Sequence, residues 1–180
     1  MKYLLAAILA GAAAWFYLID GSKLDETLVR EFYETQSQHT YARDPHALCD
    51  EMSRHVSVRI TGHLGGKVTS ASYDKAAACR AIDNQMKFFE AMGDRAGGTL
   101  TIEYHYEISR LEVAPDHKSA TVDVSTVLKM GEEFMQIYSD STERLERSLR
   151  RVKVADVDAQ VRMRWTPGAI LHPEQYFQSQ

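Results

Sequence analysis

His39, Tyr33, Tyr104 and Tyr106 are the residues of this chain best suited by type and placement to proton chemistry. Histidine exchanges protons near neutral pH. His39 closes a stripe in which Leu24, Leu28, Phe32, Thr35 and His39 follow one another at helical spacing, with Val29, Tyr33 and Gln36 flanking it. A general base needs a hydrogen-bonding partner. Tyr104 or Tyr106 is the expected one, because both stand on a run of alternating apolar and polar residues that reads as a strand. If the domain holds a ligand pocket, these four residues are its candidate lining. The competing reading is structural: a histidine at the end of an apolar stripe is also a rim residue, and tyrosines fill cores. Other signatures fail on spacing. The run TGHLGGK at 61–67 is followed by Val68, where a phosphate loop requires Ser or Thr after its lysine. No Gly-x-Ser-x-Gly elbow occurs.

The two cysteines, Cys49 and Cys79, are the only ones in the chain. In an exported domain such a pair is a candidate disulfide, closing a loop of about 30 residues that is worth roughly 3.5 kcal/mol by loop entropy. His46 and Cys49 stand three apart but lack further close-spaced ligands, so no metal site is expected. No cofactor is implied either. A net charge of −4 and a pI near 6.0 argue against a nucleic-acid partner. The basic residues Arg144, Arg147, Arg150 and Arg151 cluster with Lys153, with Glu143 and Glu146 interleaved. Alternating signs on a strand read first as a solvated face with cross-strand pairs. They are also the candidate surface for an acidic protein partner.

The surrounding elements follow from periodicity. A first helix starts at Ser22 and runs to about Tyr41. Asp44-Pro45 caps a short second helix ending near Ser53, with Leu48 and Met52 inward. Residues 55–61 alternate strictly and form a strand, followed by a loop at Gly62, Gly65 and Gly66. From Ser72 a third helix carries Ala76, Cys79, Ile82, Met86, Phe89 and Met92 on one face. After Gly98 everything reads as strand. The first of four long strands changes parity near Ser109–Arg110, which predicts a bulge. The core is expected to include Leu28, Phe32, Ile82, Met86, Phe89, Ile102, Val122, Val124, Val157 and Val161.

The opening of the chain carries an export signal. Lys2 precedes sixteen uncharged residues, 4–19, and Asp20 ends them. Ala12-Ala13-Ala14 is a possible cut, but cleavage there would leave the apolar run from Trp15 to Ile19 as a new N-terminus. Tyr3 at one end, and Trp15 and Tyr17 at the other, suit the two membrane interfaces of an uncleaved anchor. Residues 1–20 are therefore expected to be a signal-anchor or signal peptide, 21–166 the domain, and 167–180 a C-terminal tail. The location implied is the bacterial inner membrane, single pass through residues 4–19, with the domain in the periplasm.

Helix, helix, strand, helix and a four-strand meander, with Phe32-Tyr33 on the first helix, the Asp44-Pro45 restart, Val56-Ser57-Val58 and the run VADVDAQVR at 154–162, resemble the nuclear transport factor 2-like (SnoaL-like) superfamily over about 24–165. The resemblance implies an α+β, cone-shaped fold. Three N-terminal helices pack in a strongly curved, mainly antiparallel sheet, here preceded by a membrane helix. It does not settle function, because the superfamily hosts isomerases, dehydratases, hydrolases and membrane-complex scaffolds. Its enzymes place carboxylates and histidines inside the cone. The expected inward residues here are Leu100, Ile102, Tyr104, Tyr106, Ile108, Val122, Val124, Thr126 and Leu128, with Val56, Val58 and Ile60, and none is acidic. The implied function is thus a membrane-tethered, non-enzymatic periplasmic module that binds a protein partner in an envelope assembly, an architecture similar to inner-membrane components of type IV secretion systems. A homodimer through the sheet is a further expectation. The alternative is a small-molecule-binding protein or a lyase/isomerase-type enzyme using the cone pocket, with His39 as base.

Overall fold

The computed structural model describes residues 23–64, 67–95, 101–130, 135–148 and 151–165. Helix α1 (Glu26–Tyr41) is capped by Asp25, whose side chain accepts a hydrogen bond from the Leu28 amide at 2.9 Å. The cap is thus Asp25 and not Ser22, which lies outside the described residues. The buried face of α1 is Val29, Phe32, Tyr33 and Ser37. It is rotated from the expected stripe, so that Thr35 is exposed and Leu28 only half-buried. Helix α2 (Pro45–Asp50) starts as expected, with Asp44 accepting from the Ala47 amide and Pro45 in the first turn. It ends earlier than expected, because Met52 already belongs to the following strand.

Strand β1 (Met52–Leu64) turns back into β2 (Lys67–Tyr73), and the two pair antiparallel from Val58 opposite Tyr73 to Leu64 opposite Lys67. The expected glycine loop is in fact this hairpin, and Gly62 is one of its ladder residues. Polar, exposed β2 gave no alternation to read. Helix α3 (Lys75–Arg95) begins three residues later than expected, behind Asp74, which accepts from the Ala77 amide. Its inward residues include Ala78, Met86, Phe89 and Met92, and Ala76 is exposed.

Four long strands complete the fold: β3 (Ile102–Val113), β4 (Ser119–Met130), β5 (Met135–Ser148) and β6 (Arg151–Trp165). The six strands form one sheet in the order β2-β1-β6-β5-β4-β3. Every pair is antiparallel except β1 with β6. The register shifts between Ile108 and Arg110, where the bulge was expected, and again between Arg144 and Leu145 and between Met52 and Ser57. Each irregularity bends its strand, and the sheet curls without closing.

The apolar core divides in two. One cluster joins Leu24, Val29, Phe32, Tyr33, Val56, Val58, Val122, Val124, Leu145 and Val154. The other joins Met86, Phe88, Phe89 and Met92 of α3 to Leu128, Met130 and Met135. The Cys49–Cys79 disulfide ties α2 to α3, with Cα atoms 5.2 Å apart. Among the described residues no helix is long and apolar enough to cross a membrane. The expected membrane segment at 4–19, the tail at 167–180 and Arg150 lie outside the described residues.

Candidate functional site

Residues opposite one another on neighbouring strands share a face. Val122, Val124, Leu128 and Met130 of β4 are buried. Their β5 partners are Glu143, Ser141, Ile137 and Met135. The inward face of β5 therefore carries a serine pair, Ser139 and Ser141, and an acid. Three cross-strand rows carry these residues; the first lies between the two apolar clusters and the other two run through the first cluster. They run Tyr106–Thr126–Ser139–Val161, Ile108–Val124–Ser141–Ala159 and Leu111–Val122–Glu143–Val157. Thr126, Ser139, Ser141 and Ala159 are small. Tyr104, Tyr106, Thr126, Ser139, Ser141, Glu143 and Val161 all keep partial accessibility although they point inward. Thr126 and Ser139 are small, and the partly accessible inward residues around them make a polar stretch of the inner sheet face, the lumen.

Glu143 is the acid of this wall. Its Oε2 accepts from the Tyr33 hydroxyl at 3.0 Å, and its Oε1 accepts from the Ser141 hydroxyl at 3.1 Å. The carboxyl is densely surrounded although part of the residue's surface stays accessible. Burial pushes its pKa up, and the two hydroxyl donors pull partly the other way. Tyr33 is 1% exposed, packs edge-to-face on Phe32 at 5.4 Å and stacks on Tyr106 at 5.8 Å. Burial, then the Glu143 charge, raise its pKa and keep it a neutral donor. The same two causes, in that order, raise that of Tyr104, which also feels Tyr106 and Glu51. Tyr104 is fixed at its backbone by Tyr41, whose hydroxyl donates to the Tyr104 carbonyl at 2.6 Å and accepts from its amide at 3.2 Å.

His39 sits beside a second carboxylate. Its Nδ1 is 2.7 Å from Glu51 Oε1, and Glu51 is 9% exposed at the junction of α2 and β1. Burial raises the Glu51 pKa, opposed chiefly by the hydrogen bond and charge of His39. Glu51 Oε2 is buried without a hydrogen bond among the described residues. The hydrogen-bonded partner of His39 is therefore Glu51, and neither Tyr104 nor Tyr106 takes that place.

Two of these groups escaped the sequence. The sequence pattern groups Glu143 with the solvated charges of its strand and leaves the expected lumen free of acid. The structure reverses both readings. A signal for it exists: Met135, Ile137 and Leu145 share odd parity, which turns Ser139, Ser141 and Glu143 inward with them. Glu51 ends a short helix and has no periodic signal at all.

The basic cluster does not form one patch. Arg144 is exposed on the outer face, with an Nη 3.9 Å from Glu146, and Arg151 is exposed on the next strand. Arg147 is half-buried, beyond the bulge that interrupts the pairing after Arg144. On the outer face a polar groove of 680 Å³ is lined by Arg59, Asp123, Asp140, Arg144, Asp156 and Asp158, and Ser141 and Glu143 also border it. Its charges are cross-strand pairs: Arg110 donates to Asp123 at 2.8 Å, Arg162 to Asp140 at 2.7 Å and Arg59 to Asp158 at 3.2 Å.

No protein-family model matches the chain, and no curated protein matches it in sequence. Solved structures do. An NTF2-like protein of unknown function from Pseudomonas putida superposes with a TM-score of 0.50 at 14% identity, covering 76% of this chain and 84% of its own. The chain has the nuclear transport factor 2-like fold. A conserved protein from Planctomyces limnophilus superposes with a TM-score of 0.55, at 15% identity over 76% of this chain and 95% of that one. A ketosteroid isomerase-like protein from Erwinia carotovora aligns at a TM-score of 0.48 and 13% identity, over 75% of this chain and 94% of its own. Identities this low make the likeness one of fold, and the chemistry has to be argued from the lumen itself.

Proposed function

We propose that the lumen binds a small organic molecule and that Glu143 exchanges a proton with it, a lyase- or isomerase-type role. The observation that supports this is Glu143 itself: an inward carboxylate, held by two hydroxyls, on a partly accessible wall. A desolvated carboxylate is a stronger base than one in water, and positioning by hydrogen bonds keeps it aimed. Tyr33 and Ser141 hold it. Tyr104, kept neutral by burial and by the nearby carboxylates, is the donor for negative charge that develops on the ligand. The His39–Glu51 pair is a second proton-exchanging group. The expectation of a non-enzymatic module rested on an acid-free lumen, and Glu143 removes that ground.

The second reading, association with a protein partner in an envelope assembly or with a second copy through the sheet, is favoured by the charged outer groove. Complementary charge there would set specificity and on-rate. Both readings keep the domain in the periplasm, tethered to the bacterial inner membrane by residues 4–19. The Cys49–Cys79 bridge supports an oxidising compartment. Alkaline extraction of membranes is expected to leave the chain in the pellet. A soluble mature form starting near Trp15 would overturn the tether.

Glu143→Gln separates the readings with two measurements on one variant. Because folding raises the Glu143 pKa, its contribution to stability is present below the ordinary carboxylate range, near pH 4.3. That contribution is lost as pH rises through the raised value. The glutamine carries no such penalty, so the variant is expected to melt higher than the parent at pH 8, with the difference closing towards pH 4. Binding of naphthol, a neutral aromatic alcohol whose fluorescence reports its surroundings, is expected to weaken about tenfold, the scale of a hydrogen bond to a charged acceptor. Unchanged naphthol binding together with a lower melting point at every pH would make Glu143 a structural brace and leave the association reading in its place.

A further inference from the structure

The lumen is one-sided in charge. In its three central rows, extended across β6 to Val58, Ile60 and Gly62 of β1, the one charged side chain is Glu143. Among the described residues the side chains that act on Glu143 are the hydroxyls of Tyr33 and Ser141, and neither is a cation. A second carboxylate, Glu51, stands close enough to act on the same tyrosine, Tyr104, and its positive neighbours are His39 and Lys153, which it balances. At the rim, Arg30 acts on Tyr106, but the Tyr106 hydroxyl donates to Glu34 at 3.4 Å, so charge there is balanced.

A carboxylate has about four acceptor positions, and Glu143 uses two of them within the protein. A buried carboxyl without a cation either takes up a proton, as burial favours here, or is neutralised by a cation that binds beside it. Beside it, Tyr104 and Tyr106 are half-buried and present ring surface to the same space. Aromatic faces attract cations, more strongly where water is excluded. An anion entering the lumen would meet a carboxylate and no central cation.

Resting on the lumen-site reading above, we propose that the ligand class of this lumen is a small organic ammonium, its N–H groups directed to Glu143 and its apolar part against Tyr104, Tyr106 and Val161. The small residues Thr126, Ser139 and Ala159 set the room for that apolar part. Charge selects the ligand, because a neutral analogue keeps the ring contacts and lacks the ion pair.

Calorimetric titration of the full chain in detergent micelles tests this with three matched probes: phenethylammonium, phenethyl alcohol and phenylacetate. Empty micelles serve as the blank. Phenethylammonium is expected to bind at least about tenfold more tightly than phenethyl alcohol, and phenylacetate not to bind. In Glu143→Gln the ammonium should fall to the affinity of the alcohol, and Tyr104→Leu, which keeps the carboxylate, should reduce the preference several-fold. If the alcohol binds as tightly as the ammonium, the ammonium assignment fails and the lumen site stands. If the preference survives Glu143→Gln, the cation binds elsewhere and the assignment fails as well. If none of the three binds, the lumen reading falls with it.

Discussion

Replacing Phe89 by alanine is expected to destabilise the domain by roughly 3–5 kcal/mol, measured by urea denaturation. Phe89 is 2% exposed, on the inward face of α3. It packs in the cluster with Met86, Phe88, Met92, Leu128, Met130 and Met135, against which Ile102, Tyr104 and Ile137 lean. Removing the ring deletes buried area and leaves a cavity that rigid strands cannot close. The methionines work against the full loss, because unbranched thioether chains adapt to irregular gaps. A value near the lower end of the range is therefore the expected result. The ring also closes one side of the lumen through Tyr104 and Ile137, so naphthol binding should change in the same variant. A destabilisation below about 1 kcal/mol would mean that α3 does not seat on the sheet as described.

Legibility in the sequence depended on whether a residue obeyed a period. The Asp44-Pro45 restart, the α3 stripe through Met86, Phe89 and Met92, and the parity change after Ile108 all depend on local spacing, and each was readable. Strand β2 was not, because KVTSAS is exposed and only Tyr73 at its end packs on the core, so no alternating face appears. The phase of α1 was missed by one position. Leu28 and Val29 are both apolar, and only the sheet decides which of them turns inward. Glu143 was missed for a more general reason. Alternation assigns polar residues to water, whereas a lumen is an inner surface that is itself polar. Ser139, Ser141 and Glu143 look like an outward face until the apolar residues that share their parity, Met135, Ile137 and Leu145, fix the direction. A functional wall is the place where a hydrophobicity pattern reads the wrong way round.

Loss of the Cys49–Cys79 bridge is the second large effect expected. The residues are 30 apart in sequence, and closing that loop in the unfolded chain is worth roughly 3.5 kcal/mol by chain entropy. The double variant Cys49→Ala, Cys79→Ala is expected to unfold at lower urea with nearly that difference, and thiol labelling of the unfolded, unreduced parent should find no free cysteine. Two labelled thiols would reject the bridge in the cell's own product. The position of the bridge joins stability to the site. Cys49 lies two residues before Glu51, and Lys75, near Cys79 at the start of α3, donates to the Met52 carbonyl at 2.8 Å. Freed from α3, the short α2 keeps its Asp44 cap, the bond from Lys153 to the Asp50 carbonyl and the packing of Leu48, and none of its residues is fully buried. The His39–Glu51 pair should loosen before the sheet does. Reduction of the intact protein should therefore weaken any lumen binding that depends on His39 at urea concentrations where the strands remain folded. If binding and unfolding move together, α2 is held by packing alone and the bridge acts only on the unfolded chain. The stabilisation exists only where cysteines stay oxidised, as they would in the periplasmic location proposed for this domain.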